Sequence, residues 1–222
     1  MIDLFHRLNL TLLRPRYEPA KGNPEKQERF KKAIQQFANR LRPEDHLFFM
    51  DEASIKWSAT ISRMWAEAGH QPIVPQVGGH KGVHIIGAVD PKADRGFFAF
   101  IPTMKAPQFI EFLESLLCNN PTGKIYIVLD NARVHHANIV KDFVHAHSRL
   151  HLMFLPPYSA KLNPIERFWA YLRQKKTHNA FYPEYDEFET EIKQFVEKFE
   201  SPQGILKDLC GYYEPELSTR CT

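Results

Sequence analysis

Lys124–Ile125–Tyr126–Ile127–Val128–Leu129 reads as a strand that is apolar on both faces, and it ends on Asp130. Such a strand needs cover on two sides, so it belongs in the middle of a sheet with helices above and below. The pattern around it supports that placement. Periodicity and breakers predict a helix over 24–41 and strands over 46–54, 56–63, 83–89 and 96–101. They then predict a helix over 106–117, the 124–129 strand, a helix over 135–147 and a strand over 151–155. Helices over 164–176 and 185–199 complete the order. Residues 65–82 carry Gly69, Gly78, Gly79, Pro72 and Pro75 and read as a loop or loose hairpin. Early strands followed by alternating helix and strand specify an α/β fold with a mixed sheet flanked by helices on both faces.

An RNase H-like fold has this order, and in it the first and fourth core strands lie side by side. Three acids then stand at junctions. Asp51 closes the run His46–Leu47–Phe48–Phe49–Met50, Asp130 closes the 124–129 strand, and Glu166 follows Asn163–Pro164 at a helix start. Carboxylates converging from strand ends and a helix make an oxygen-only donor set for hard divalent cations, which suits phosphodiester chemistry. Each acid also has a plainer reading. Asp51 is followed by Glu52, and alternation sends the two to opposite faces without saying which faces the site. Asp130 fits an Asx turn or a helix cap. Glu166 fits the last position of a capping box on Asn163, a role that competes for the same carboxylate. His135 and His136 read as helix-start residues or as supporting contacts. The stripe Ile165, Phe168, Trp169, Leu172 reads as core.

Net charge is only +3, but its distribution is uneven. Residues 1–42 carry ten Lys/Arg against four Asp/Glu, residues 161–178 five against one, and residues 183–200 two against seven. Basic segments beside an acidic triad suit a polyanionic partner, although a solvated helix face is the ordinary alternative. Lys161, Arg167, Arg173, Lys175 and Lys176 are the candidate phosphate contacts. No apolar run reaches the roughly 20 residues needed to span a bilayer. Cys118, Cys210 and Cys221 are widely spaced and fit neither a disulfide framework nor a zinc site. A cytoplasmic setting without a membrane is the expectation.

Three blocks carry a family resemblance: Phe49–Met50–Asp51–Glu52; Val128–Leu129–Asp130–Asn131–Ala132–Arg133–Val134–His135; and Leu155–Pro156–Pro157–Tyr158–Ser159–Ala160–Lys161–Leu162–Asn163–Pro164–Ile165–Glu166–Arg167–Phe168–Trp169. They resemble the catalytic blocks of mariner-type DDE transposases, with bacterial insertion sequences as the nearest branch. Trp65 to Pro72 also resembles the family's stretch between the first two strands. The resemblance implies an RNase H-like catalytic domain in which Asp51, Asp130 and Glu166 hold two Mg²⁺ ions, with Mn²⁺ able to substitute. Asn131 and His135 are implied as supporting residues. It further implies double-stranded DNA as substrate, cleavage and strand transfer as reactions, and a homodimer on DNA. Readings that stay open are an RNase H-like nuclease that only hydrolyses, or a truncated, inactive DNA-binding relic. Residues 1–42 are expected to hold a remnant of a DNA-binding region, a linker and a lead-in helix, with the rest of a helix-turn-helix segment encoded separately or lost. Residues 43–205 are the expected catalytic domain and 206–222 a C-terminal tail.

Overall fold

The computed structural model describes residues 7–8 and 21–211 apart from Val77. The remnant and linker expected within residues 1–42 fall mainly outside them. Five strands form one sheet in the order β3-β2-β1-β4-β5: β1 His46–Lys56, β2 Gly82–Asp90, β3 Arg95–Ile101, β4 Ile125–Leu129 and β5 Leu150–Phe154. β1, β2 and β3 are antiparallel neighbours, whereas β1, β4 and β5 run parallel. The first and fourth strands are thus side by side, as the RNase H-like order requires.

Among the described residues six α-helices accompany the sheet: α1 Pro24–Arg40, α2 Ala106–Asn119, α3 Asn138–Ala146, α4 Ile165–Lys176, α5 Tyr185–Glu197 and α6 Ile205–Cys210. Strand alternation divides the core in two. Leu47, Phe49, Ala53 and Ile55 of β1 face the layer containing Ile34, Phe168, Trp169, Leu172 and Phe188. Phe48 and Met50 face the opposite layer, with Phe109, Leu113, Leu116 and Val140. The stripe predicted as core on α4 is core: Ile165, Phe168, Trp169 and Leu172 are fully buried. Trp169 lies so close to β2 that a Cβ on Gly87 would stand 2.8 Å from its ring. Glycine therefore lets α4 press against the strand position paired with Asp51.

Four expectations are corrected. No strand forms over 56–63. β1 runs through Lys56, and the chain then leaves the sheet because Trp57 is anchored elsewhere, its indole donating to the Tyr182 carbonyl at 3.0 Å and its ring meeting Tyr185 edge-on. Thr60 makes only an isolated bridge to His178. The helix expected over 135–147 is divided into a 3₁₀ turn, Arg133–His136, and α3, because Ala137 between them is extended (φ −60°, ψ 145°). The helix after Asn163 begins at Ile165, with Pro164 rather than Asn163 at its N-cap position. Residues 206–210, expected in a tail, belong to α6, whose Leu206 and Cys210 are buried in the core. Apolar spacing over six residues is too short a signal to separate such a helix from a tail.

Candidate active site

The parallel pairing of β1 and β4 places His46 beside Ile125 and Phe49 beside Val128. Two residues further on, the same register brings Asp51 level with Asp130, just past the end of β4. Asp51, expected to close its strand, instead lies midway along β1, where that strand runs on beyond the end of β4, so the two acids are neighbours by construction of the sheet. Asp51 shares the face of Phe49 and Ala53, which is the α4 face.

The third acid is brought in by Asn163. Its side-chain amide is buried and donates to the Met50 carbonyl at 2.7 Å, so the start of α4 is tied to the residue before Asp51. This also decides the capping question. The Asn163 backbone amide, which a capping box would offer to Glu166, bonds the Ala160 carbonyl at 2.8 Å. No side-chain cap forms at this helix end. Glu166 stands in the first turn of α4, on the Asp51 side of the sheet, with no capping duty.

The electrostatics agree with three clustered carboxylates. Burial, reinforced by the charges of Glu166, Glu52 and Asp130, pushes the Asp51 carboxyl up to about 7. Asp130 goes the other way: a hydrogen bond from His135, opposed by burial and aided by the Ala132 amide, holds it below the ordinary range. Its Oδ1 accepts from the Ala132 amide at 2.9 Å, so the Asx turn expected as an alternative role coexists with a place at the site.

His135 is the residue whose importance the sequence understated. It is 2% exposed, packed against Phe109 at 4.7 Å between centroids. Nδ1 lies 3.2 Å from Asp130 Oδ1, and Nε2 lies 3.0 Å from Glu52 Oε1. Burial pulls its pKa down, but the hydrogen bonds to Asp130 and Glu52 outweigh it and raise the value to about 9. An imidazolium donates from both nitrogens, which matches two acidic partners. Glu52, on the opposite face from Asp51, thus belongs to the clamp that holds Asp130. Asn131 secures the loop behind by donating from Nδ2 to the Leu155 carbonyl.

The basic candidates are spread over different duties. Arg167 donates to the Leu209 carbonyl at 3.1 Å and closes the end of α6. Lys176 forms an ion pair with Glu191 and lies over Phe195. Lys175 is exposed, with its ammonium 5.6 Å from the centre of the Tyr171 ring. Arg173 is partly exposed on the same helix, and Lys161 is exposed in the loop before it.

Comparison with known proteins gives the family. The model described as DDE superfamily endonuclease matches residues 46–189, a span that contains Asp51, Asp130 and Glu166. The chain belongs to the DDE superfamily endonucleases. A second model, winged helix-turn helix, matches residues 1–34, most of them outside the described residues. This DDE endonuclease is 23% identical over 158 residues to the Insertion element IS630 uncharacterized 39 kDa protein of Shigella sonnei, covering 71% of the chain and 46% of that protein. It is 30% identical over 108 residues to the uncharacterized protein y4pE/y4sA of Sinorhizobium fredii, covering 48% of the chain and 77% of that protein. Its fold matches the Mos1 strand transfer complex with a TM-score of 0.70 at 15% identity, over 94% of this chain and 64% of that one. It matches the Mos1 paired-end complex with left transposon end at 0.67 and 13%, over 96% and 70%. The chain thus spans about half the length of the IS630 protein and about two thirds of the Mos1 chains. Among the described residues no helix is long and apolar enough to cross a membrane.

The donor set fits divalent metal. Asp51, Asp130 and Glu166 offer hard oxygens of the kind divalent cations prefer. Among the described residues no three His, Cys, Asp or Glu side chains are grouped closely enough to hold a metal ion as they stand.

Proposed function

We propose that this chain is the catalytic domain of an insertion-sequence transposase that cuts and rejoins DNA, with Asp51, Asp130 and Glu166 holding two divalent ions. The observation that carries this reading is the Asn163–Met50 hydrogen bond, which brings the Glu166 helix to the middle of β1, where Asp51 is level with Asp130 just past the end of β4. The family match over the three acids supports it, as do the Mos1 paired-end complexes described with Mn and with Mg. When bound, such ions would activate the attacking oxygen and neutralise the leaving one.

The chain's own residues do the rest. Asp51 and Asp130 present carboxylates from two parallel strands, and Glu166 presents the third from α4. His135, held by Glu52, fixes the orientation of Asp130 from beneath. Asn163 fixes the approach of α4. Mg²⁺ serves as the natural ion and Mn²⁺ as a substitute, with double-stranded DNA as substrate and a homodimer as the working form. Lys161, Arg173 and Lys175 contact phosphates, which position DNA without reading its sequence.

The test is nicking of a duplex with Mg²⁺ or Mn²⁺ by the wild type and by Asp51→Ala, Asp130→Ala and Glu166→Gln. All three variants should remain folded and lose cleavage. Normal nicking by any one would remove that residue from the site. Joining of a pre-cut duplex end to a second duplex separates a transposase from a nuclease that only hydrolyses.

A further inference from the structure

β5 is the last strand of the sheet and pairs with β4 alone. The Ile125 amide donates to the Arg149 carbonyl at 2.7 Å, and the Leu155 amide donates to the Leu129 carbonyl at 2.8 Å. Alternate residues of a strand turn their main-chain groups to the same side, so the odd-numbered residues from Arg149 to Leu155 bond β4. Leu150, Leu152 and Phe154 turn theirs outward. The Leu150 amide is taken by the His147 carbonyl at 2.8 Å. Leu152 and Phe154 present main-chain donors and acceptors at an open edge, the groups with which another strand pairs.

The side chains along this edge are not those that blunt it. Leu152 and Phe154 are only half-buried, and with Val144 of α3 they line a cavity of about 260 Å³. His135 and Val140, both buried, form its floor. The rim is different in kind: His136, Lys141 and His145 line it and are exposed. Among the described residues no acidic side chain lines this cavity. An apolar hollow, a basic rim and an unpaired strand edge therefore lie together.

We propose that the β5 edge docks an extended acidic peptide of a partner protein. The peptide pairs its main chain with Leu152 and Phe154, seats one large apolar side chain in the cavity, and meets the rim with carboxylates. Strand addition of this kind takes affinity from main-chain hydrogen bonds and specificity from pockets for alternate side chains. Residues two apart in a strand share a face at a spacing of about 6.5 Å. The matching pattern is an acid, any residue, an apolar residue, any residue, an acid. Nucleic acid fits this surface less well. Phosphates would meet the rim, but an apolar floor and an open strand edge offer nothing to a sugar–phosphate backbone. One face of His136 is also covered already, by Phe154 at 4.3 Å between ring centroids. The proposal goes beyond DNA cleavage and stands apart from it, since none of Asp51, Asp130 and Glu166 lines the cavity.

The experiment uses the full chain, labelled with ¹⁵N, and a fluorescent peptide, Ser-Glu-Val-Leu-Val-Glu-Ser with blocked ends. Anisotropy should show saturable binding. In amide spectra the Leu152 and Phe154 signals should shift, and their hydrogen exchange should slow. A peptide with Lys for both Glu should bind at least about tenfold more weakly, and so should one N-methylated at Leu. Lys141→Glu combined with His145→Glu reverses the rim at two exposed positions, so the fold is retained; it should weaken the acidic peptide by a similar factor and favour the Lys peptide. No binding of the acidic peptide up to about 1 mM would overturn the proposal. Binding that leaves the Leu152 and Phe154 amides unchanged would also overturn it. Protection of those amides by duplex DNA in place of the peptide would make the edge a nucleic-acid surface. Protection on raising the protein concentration alone would give it to a second copy of the chain. Either result would overturn the proposal.

Discussion

The Asn163 side-chain amide donates to the Met50 carbonyl at 2.7 Å, joining the residue two before Ile165, where α4 begins, to the residue before Asp51. Both partners are buried, and among the described residues the Asn163 Oδ1 finds no hydrogen-bond partner. One hydrogen bond therefore ties the start of the Glu166 helix to β1 beside Asp51. Asn163→Ala should cost about 1–3 kcal/mol, the penalty for a buried carbonyl left unpaired. Cleavage assayed well below the melting temperature should fall much further than unfolding accounts for. Wild-type cleavage in a destabilised Asn163→Ala protein would reduce the bond to a stability feature.

His135 links Glu52 to Asp130 at 3.0 and 3.2 Å, so it acts on the site through Asp130. His135→Phe keeps a ring against Phe109 and removes both hydrogen bonds. Cleavage should drop about 10- to 100-fold, as for other residues that orient a ligand. The half-maximal Mn²⁺ concentration should rise, a change that mere packing loss would not produce. Glu52→Gln, which keeps an acceptor but not the charge, should fall between wild type and His135→Phe. An unaltered Mn²⁺ titration in His135→Phe would show that the clamp does not serve the metal site.

Asp94 anchors α6 through the Gln203, Gly204 and Lys207 amides, and residues 205–210 have no other cap. Burial opposes the charge, but the amides of Lys207, Gly204, Gln203 and Leu206 outweigh it, so the carboxyl lies below its ordinary value. A depressed acid contributes stability above its unfolded pKa and loses it as pH falls through the folded value. Asp94→Asn tolerates the same backbone and removes the charge. It should lower stability at pH 7 by about 1 kcal/mol, typical of a helix cap. In urea denaturation the gap from wild type should narrow as pH falls below about 4. A gap independent of pH would assign the effect to shape alone.

Lys175 and Lys176 are adjacent, yet Lys176 is paired with Glu191 and Lys175 is exposed. Their contributions to DNA binding should differ accordingly. Lys175→Ala should reduce the slope of log affinity against log salt by about 1, uniformly across sequences. Lys176→Ala should leave the slope nearly unchanged and lower the melting temperature, because Glu191 loses its partner. Equal slopes for both variants would show that DNA draws Lys176 away from Glu191.

Much of the fold was written in local pattern. The doubly apolar 124–129 run marks β4 because a strand covered on both faces has no polar side to show. The 164–176 stripe announces α4 through its 3.6-residue period. Asp130 and Glu166 are visible because one follows a strand and the other begins a helix, whereas Asp51, which the run 46–50 would place at a strand end, lies midway along β1. What local pattern could not supply was everything that depends on residues distant in the chain. Asp51 and Glu52 alternate wherever β1 lies, and only the packing of α4 on one layer and of Phe109 and His135 on the other gives each its role. Asn163 is a good N-cap by its neighbours, but the Met50 carbonyl, 113 residues away, claims its side chain. Trp57 could continue a strand, but Tyr182 and Tyr185 draw it out of the sheet. Propensity and periodicity are sums over neighbours in sequence. A buried polar group bonds whichever partner the fold brings to it, and that choice belongs to tertiary structure.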